Sequence, residues 1–374
     1  MQRVKLVNIV KRAIAGCVAA CLSFFAAHAQ GSNTGTLPYK SDSVEFVGRQ
    51  TGLRYGATIT LPASSGRHAA VIIVSGTGAQ DRDGTMAGHK LFADIADYLT
   101  RQGIVVLRID DRGVGRSTGD YSKATTADFA ADVLEAFNYL QQRGEVDKKK
   151  IGLIGHSEGG ASISIAASQQ PRVAFLISLA GLCQDGYNSL ILQNRALVAV
   201  APISDADKQR YDTINGIMFK TARQYADSAN MDKKLNESYA EWKKKDDEYV
   251  KAQNIQYDHF RFPIYSYVNQ ATGVWYRYFI KYDPATVLAQ VNIPILALNG
   301  DKDLMVDCKE NLANWKQLPA KGHDKDVTTI ALPGLNHLFL PCVTCTPQEY
   351  GTIKSSFSPD ALQIMGSWIG KRFK

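Results

Sequence analysis

Between residues 69 and 181 the chain alternates short apolar runs with stretches whose apolar positions recur every three or four residues. The runs are "AAVIIVSG" (69–76), "IVVLRID" (104–110), "KIGLIGHS" (150–157) and "VAFLISLAG" (173–181). Helical spacing marks "HKLFADIADYLTRQG" (89–103), "TADFAADVLEAFNYLQQ" (126–142) and "GGASISIAASQ" (159–169). A strand with no polar alternation is buried on both faces, which requires helices above and below it. The pattern therefore predicts an α/β fold, a mostly parallel central sheet with helices on both faces. It stops at Gly181 and resumes with "IPILALNG" (293–300), "VTTIALPG" (327–334) and a closing helix, "SPDALQIMGSWIGKRF" (358–373). Ahead of it, "SVEFVGRQTGLRYGATITLPA" (43–63) alternates on either side of Thr51-Gly52 and predicts a hairpin.

The interval between the two blocks differs in kind. Residues 183–285 read as helical, carry the mixed-charge run "DKKLNESYAEWKKKDDEYVK", and hold 17 of the chain's 35 aromatic residues. Such enrichment argues against a bare linker. The interval is expected to be a helical cap inserted into a core formed by residues 43–182 and 286–374. The charge run reads as a solvated helix face, and the aromatics as the cap's own core rather than substrate contacts.

The chain begins with "MQRVKLVNIVKR", a basic stretch, followed by the apolar "AIAGCVAACLSFFAA" and then "AHA" before Gln30. This is the layout of a signal peptide over residues 1–29, with cleavage near Ala29 and export to the periplasm or the exterior. The apolar run is short for a membrane span and lacks a polar stop beyond it. "IAGC" and "VAAC" loosely resemble a lipoprotein cleavage box, but apolar residues continue past Cys21, so a lipid anchor on Cys17 or Cys21 is the lesser reading. Residues 30–42, polar and glycine-rich, read as a flexible leader. Removing Arg3, Lys5, Lys11 and Arg12 takes the formal charge from +7 to +3. That balance points to neither nucleic acid nor an anionic surface as partner.

Four cysteines follow the leader: Cys183, Cys308, Cys342 and Cys345. An even number in an exported chain favours disulfides. A bridge between Cys342 and Cys345 of "PCVTC", or between Cys342 and Cys308, is expected. The CxxC spacing could instead be a redox motif or half a metal site, but it sits in a loop and no second close Cys or His pair accompanies it. No metal is expected.

The candidate chemistry lies in "IGLIGHSEGG" (151–160). G-x-S-x-G alone is a weak signal, yet here it follows a strand and opens a helix, the setting of a nucleophile elbow. A serine hydroxyl needs a base and an acid to orient that base. Both are expected in loops after later strands. "NGDKDLMVD" offers Asp301, Asp303 and Asp307; "PGLNHLFL" offers His337. Ser157 as nucleophile, an aspartate, then His337 is the chain order of α/β-hydrolases. His156 is expected to point away from the nucleophile, His89 to sit at a helix start, and His68, His259 and His323 to lie on the surface. Acyl transfer also needs donors for an oxyanion. The backbone N–H groups of Thr77, in "SGTGAQDRDG", and of Glu158 are the candidates. Asp81, Arg82 and Asp83 read as a salt-bridged brace for that loop, and "DDRGVGRSTG" (110–119) as a structural turn. The loop lacks the third glycine of a dinucleotide fingerprint, no phosphate-binding Gly-Lys-Ser/Thr follows, and Asp81-x-Asp83-Gly84 breaks calcium-loop spacing.

"GTGAQDRDG", "GHKLFADIADYLTRQGIVVLRIDDRGVGRSTGD", "KKIGLIGHSEGG" and "LALNGDKDLMV" with "NHLF" resemble the bacterial carboxylesterase branch of the α/β-hydrolases, also described as dienelactone-hydrolase-like or serine-aminopeptidase-like. The likeness runs from about residue 43 to the C-terminus. It implies the α/β-hydrolase fold and places the triad acid, in a Gly-x-x-Asp pattern, on Asp303. It also implies hydrolysis of a small-molecule ester without any cofactor. "PCVTC" is not part of that pattern, and the cap is the least similar region. A serine aminopeptidase on the same site is the alternative, and a non-catalytic binding protein a further one.

Overall fold

The computed structural model describes residues 37–322 and 326–373. The expected signal peptide, with Cys17, Cys21 and the Ala29 cleavage position, lies outside the described residues, as does His323. The chain divides into two compact units, one of residues 37–184 with 283–373, the other of residues 185–282.

The first unit is built on an eight-stranded sheet. Its strands are β1 (Tyr39–Val47), β2 (Arg54–Pro62), β3 (His68–Val74), β4 (Val105–Ile109), β5 (Val146–His156), β6 (Phe175–Leu179), β7 (Ile295–Gly300) and β8 (Val327–Leu332). The order across the sheet is β1-β2-β4-β3-β5-β6-β7-β8. β1 pairs with β2, and β2 with β4, antiparallel; every other pairing is parallel. The strands are almost wholly apolar where helices cover them: Ala70–Val74, Val105–Leu107, Ile151–Ile154 and Phe175–Leu179 are all buried, Ser178 being the one polar side chain among them.

Helices α1 (Leu91–Arg101), α2 (Thr126–Leu140) and α3 (Gly159–Gln169) connect the early strands. α1 buries Leu91, Phe92, Ile95, Ala96 and Leu99, one stripe at helical spacing. α2 begins at a capping box: Asp128 N–H donates to Thr125 Oγ1 at 3.3 Å, and Thr125 N–H returns to Asp128 Oδ2 at 2.8 Å. In the second half of the chain the first unit adds α9 (Pro284–Leu288), α10 (Cys308–Lys321) and α11 (Pro359–Phe373). α11 packs beside α1, where Trp368 and Phe373 meet Phe175 at ring-centroid distances of 5.7 and 4.5 Å.

Two details differ from the sequence reading. Residues 39–42, expected in a flexible leader, are the first half of β1, paired with Ile59–Pro62. Tyr39 anchors them, its hydroxyl donating to Asp97 Oδ1 at 2.8 Å. No residue of β1 is fully buried, and residues 40–42 are all polar, so the strand shows no apolar run there.

The unit of residues 185–282 is helical: α4 (Gly186–Val200), α5 (Asp205–Gln224), α6 (Met231–Ala252), α7 (Ile264–Ala271) and α8 (Val274–Phe279). Its aromatics pack mainly on one another, for example Tyr211 on Phe260 at 4.3 Å and Trp275 on Phe279 at 4.9 Å. α6 carries the charge run and exposes most of it. Asp246 is the second difference: it is buried and accepts two hydrogen bonds, both at 2.7 Å, from Arg210. Arg210 also binds Asp258 through two bonds, of 2.9 and 2.8 Å, so this charge is paired in the interior rather than solvated.

Phe175 is fully buried, with its ring over Gly152, where any side chain would clash with it. Phe175→Ala is expected to cost about 3–5 kcal/mol. The check is the urea unfolding midpoint: at an unchanged slope it should fall by that loss divided by the slope.

Candidate active site

The parallel strands start at β3, step outward to β4 and return past β3 to β5, so the order of the sheet reverses between β3 and β5. At such a switch point the loops after the carboxyl ends of the two strands part and leave a crevice. Residues 75–80 follow β3 and Ser157 follows β5. Every candidate site residue belongs to the first unit.

Ser157 stands between β5 and α3 with φ of +55°, in the left-handed region that non-glycine residues rarely occupy. The turn holds it there through backbone bonds. Ser157 N–H donates to Leu179 O at 3.2 Å, while its own carbonyl accepts from Gly160 at 2.9 Å and Leu182 at 2.8 Å. The flanking glycines are required by close approach. A Cβ on Gly155 would lie 2.3 Å from the Gly159 carbonyl oxygen, and one on Gly159 would lie 2.6 Å from the carbonyl oxygens of both Val74 and Ser75. The opposite wall is as tight: a Cβ on Gly76 would lie 2.7 Å from the Ser157 Cβ and 3.3 Å from its Oγ. The backbone after β3 therefore runs directly against the Ser157 hydroxyl. Of the amides in that loop, Gly78 N–H already donates to Tyr121 Oη at 2.7 Å. Thr77 lies beside it, and its Oγ1 donates to Glu158 Oε2 at 2.7 Å.

His337 lies in the loop after β8, folded back by the Leu335–Pro341 bridge. Asn336, fully buried, shapes this loop: its Oδ1 accepts from Leu338 N–H at 2.9 Å and Leu340 N–H at 3.1 Å. His337 Nδ1 is 2.8 Å from Asp303 Oδ2, and both residues are buried. A carboxylate only accepts, so the proton sits on Nδ1 and the lone pair on Nε2. Asp303 is itself fixed from four sides. Its Oδ1 accepts Met305 N–H at 2.7 Å and Val306 N–H at 3.0 Å, and its Oδ2 also accepts Asn299 Nδ2 at 3.2 Å.

The two other aspartates of the loop have different partners. Asp301 accepts Gly334 N–H at 2.7 Å, and Asp307 caps α10 through Glu310 N–H at 2.8 Å. The structure thus brings Asp303, rather than Asp301 or Asp307, to the histidine.

His156 joins the two halves of the site. It is buried, and its Nε2–H donates to the His337 carbonyl oxygen at 3.0 Å. The two imidazoles lie with centroids 4.8 Å apart. The residue preceding Ser157 is thereby packed against the loop that carries His337. Sequence reasoning treated His156 as a bystander. It also missed a buried amide chain: Asn299 Oδ1 accepts Asn311 Nδ2 at 2.9 Å, and Asn311 in turn binds Gly181 O at 3.0 Å and Cys183 N–H at 2.8 Å. Asn299 and Asn336 are the first residues of the singled-out motifs "NGDKD" and "NH". An amide closing the apolar run "ILALN", and another between Leu335 and the His337 that precedes "LFL", were the available signal.

The expected brace around residues 81–83 is present. Arg82 donates to Asp110 through Nε at 2.9 Å and Nη2 at 2.5 Å, and Arg108 Nη1 to Asp83 at 2.6 Å. Asp81 contributes through backbone bonds from Asp83 and Thr85 instead of an ion pair. His89 lies just before α1, with Nε2 3.0 Å from Tyr350 O. Cys342 and Cys345 are disulfide-bonded with Cα atoms 5.0 Å apart; Cys183 and Cys308 are free thiols. Among the described residues no cluster of three His, Cys, Asp or Glu side chains could hold a metal, and no helix is long and apolar enough to cross a membrane.

Comparison with known proteins agrees with this architecture. Residues 68–341 match the family described as serine aminopeptidase, S33, and the chain belongs to that family, within the α/β-hydrolase superfamily. Esterase EstD of Thermotoga maritima is 27% identical over 293 residues, 78% of this chain and 60% of that protein. The chain thus spans less than two thirds of that relative's length. Among solved structures, DcsB in complex with its substrate analogue superimposes with a TM-score of 0.53 at 17% identity, covering 89% of this chain and 98% of that one. An esterase of Pyrococcus furiosus gives 0.50 at 12% identity, covering 82% and 87%. These two likenesses concern the fold.

Burial, and next the neighbouring His337, lower the His156 pKa from 6.5 to about 3. Between those values the unfolded chain takes up a proton that the native state refuses. The stability from neutral His156 is therefore fully present above pH 6.5 and is lost as pH falls toward 3. Urea midpoints measured at pH 7.5 and 4.5 should diverge less in His156→Gln than in the wild type; an equal divergence would remove this residue from the acid response.

Proposed function

We propose that the protein is an exported serine hydrolase that cleaves carboxylic esters through Ser157, His337 and Asp303. The observation that carries this reading is the hydrogen bond from His337 Nδ1 to Asp303, in a loop bonded to the residue before a strained serine. Ser157 Oγ attacks the acyl carbon as His337 Nε2 takes its proton, and the imidazolium returns that proton to the leaving alcohol. Asp303 keeps the imidazole in the Nδ1–H tautomer and stabilises its protonated form. The N–H groups of Thr77 and Glu158 receive the oxyanion. Water, deprotonated by His337, then attacks the acyl-enzyme and releases the acid. No step calls for a metal or an organic cofactor.

The esterase name of the Thermotoga relative supports an ester as substrate. The family's description supports the alternative, an aminopeptidase. That activity needs carboxylates available for a substrate amine, and the acidic cluster of α6, Asp246-Asp247-Glu248, is a weak candidate. Asp246 is paired with Arg210 and Asp247 with Lys243. The helical unit of residues 185–282 is read as a cap. The N-terminal layout of basic, apolar and Ala-x-Ala segments supports export.

Ser157→Ala should reduce turnover of a short activated acyl ester by at least about 10³-fold with an unchanged far-ultraviolet spectrum. Retained turnover would exclude Ser157 from the chemistry. Acyl esters should be turned over faster than aminoacyl anilides; the reverse order would favour the aminopeptidase.

A further inference from the structure

Two carboxylates outside the triad, Glu158 next to Ser157 and Asp111 after β4, both hold the loop of residues 75–80. Glu158 is buried, and each of its oxygens accepts a threonine hydroxyl: Thr77 Oγ1 on Oε2 and Thr126 Oγ1 on Oε1, both at 2.7 Å. Asp111 takes the two ends of the loop. Its Oδ1 accepts Ser75 Oγ at 2.6 Å and its Oδ2 accepts Gln80 N–H at 2.8 Å, while its own N–H donates to Gln80 O at 3.1 Å. The ends of the loop are thus fixed to the residues after β4, and its middle to the elbow itself.

The arrangement is costly. Desolvation raises the Asp111 pKa to about 7, and the charges of Asp132 and Glu158 push it the same way. Perturbed carboxyls held against such a penalty concentrate at functional sites. The loop they hold lacks regular structure, yet Gly76 leaves it no clearance from Ser157. An oxyanion donor acts only if it is aimed before the charge develops.

We infer that Glu158 and Asp111 are positioning residues that hold the Thr77 backbone N–H at the oxyanion position beside Ser157, Glu158 through the Thr77 and Thr126 hydroxyls and Asp111 through Ser75 and Gln80. The inference rests on the acyl-transfer reading of Ser157. It gives the residue after the nucleophile two tasks, its N–H meeting the substrate oxygen and its carboxylate fixing the partner donor. It also makes the Thr77 hydroxyl matter to turnover although the donor to the oxyanion is the backbone N–H.

The test compares wild type, Thr77→Val, Thr77→Ser, Ser75→Ala and Ser157→Ala on one short activated ester, with an alkyl boronic acid as inhibitor. The adduct of such an acid on the serine places an oxygen at the oxyanion position. Thr77→Val should lower kcat about 10- to 100-fold at a KM within about threefold of wild type. Boronate affinity should weaken in step, and Thr77→Ser should restore both. Ser75→Ala should move the same two quantities in the same direction, and it keeps the test decisive if the valine variant misfolds. Folded Thr77→Val and Ser75→Ala with wild-type kcat and boronate affinity, alongside an inactive Ser157→Ala, would overturn the inference and leave the esterase reading standing. An active Ser157→Ala would overturn both.

Discussion

Ser157 occupies a backbone conformation that costs of order 1–3 kcal/mol for a side chain bearing a Cβ. Everything around it is arranged so that no relaxed alternative is open. Its N–H and carbonyl are tied to Leu179 and Leu182, at the end of β6 and just beyond it. Gly155, Gly159 and Gly76 bring three backbones too close together for any residue with a Cβ. Strain of this kind persists only where the surroundings over-determine it, and here the surroundings are the sheet itself. Residues 151–155 pair with 70–74 on one side and residues 152–156 with 175–179 on the other, in the interior of the parallel strands.

From that fixed point the rest of the site is assembled by short polar links between loops. His156 carries the elbow to the His337 carbonyl, Asp303 carries the imidazole to the end of β7, and Asn299 and Asn311 carry Asp303 back to Gly181 just after β6. None of these links spans the sheet. Each joins segments at or just beyond the carboxyl ends of the parallel strands from β5 to β8, which is how residues more than a hundred positions apart come within bonding distance. Buried amide and imidazole groups are expensive when unpaired, so the network resists repacking and keeps one geometry.

Much of this was legible in the sequence, for physical reasons that also explain the gaps. Strands such as residues 69–74 and 175–179 are buried on both faces and therefore read as unbroken apolar runs, so the sheet and its order of elements were open to inspection. Ser157 and His337 stand immediately after such runs and could be singled out by position. Asp303 could be chosen over Asp301 and Asp307 only by resemblance, since three aspartates within seven residues look alike until their partners are known. β1 was partly missed because an edge strand shows a weak pattern. The links from Glu158 to Thr126, from Asn299 to Asn311 and from Asn311 to Gly181 were illegible because they join residues 32, 12 and 130 positions apart. A buried polar side chain announces a partner without naming it.

The central claim, that Ser157 is a nucleophile activated by His337, is tested most directly by stoichiometric labelling with a fluorophosphonate, followed by peptide mapping. The account predicts one adduct per chain, on Ser157, and its loss in a folded His337→Ala variant. Absence of an adduct in the wild type, or an adduct on another residue, would contradict it.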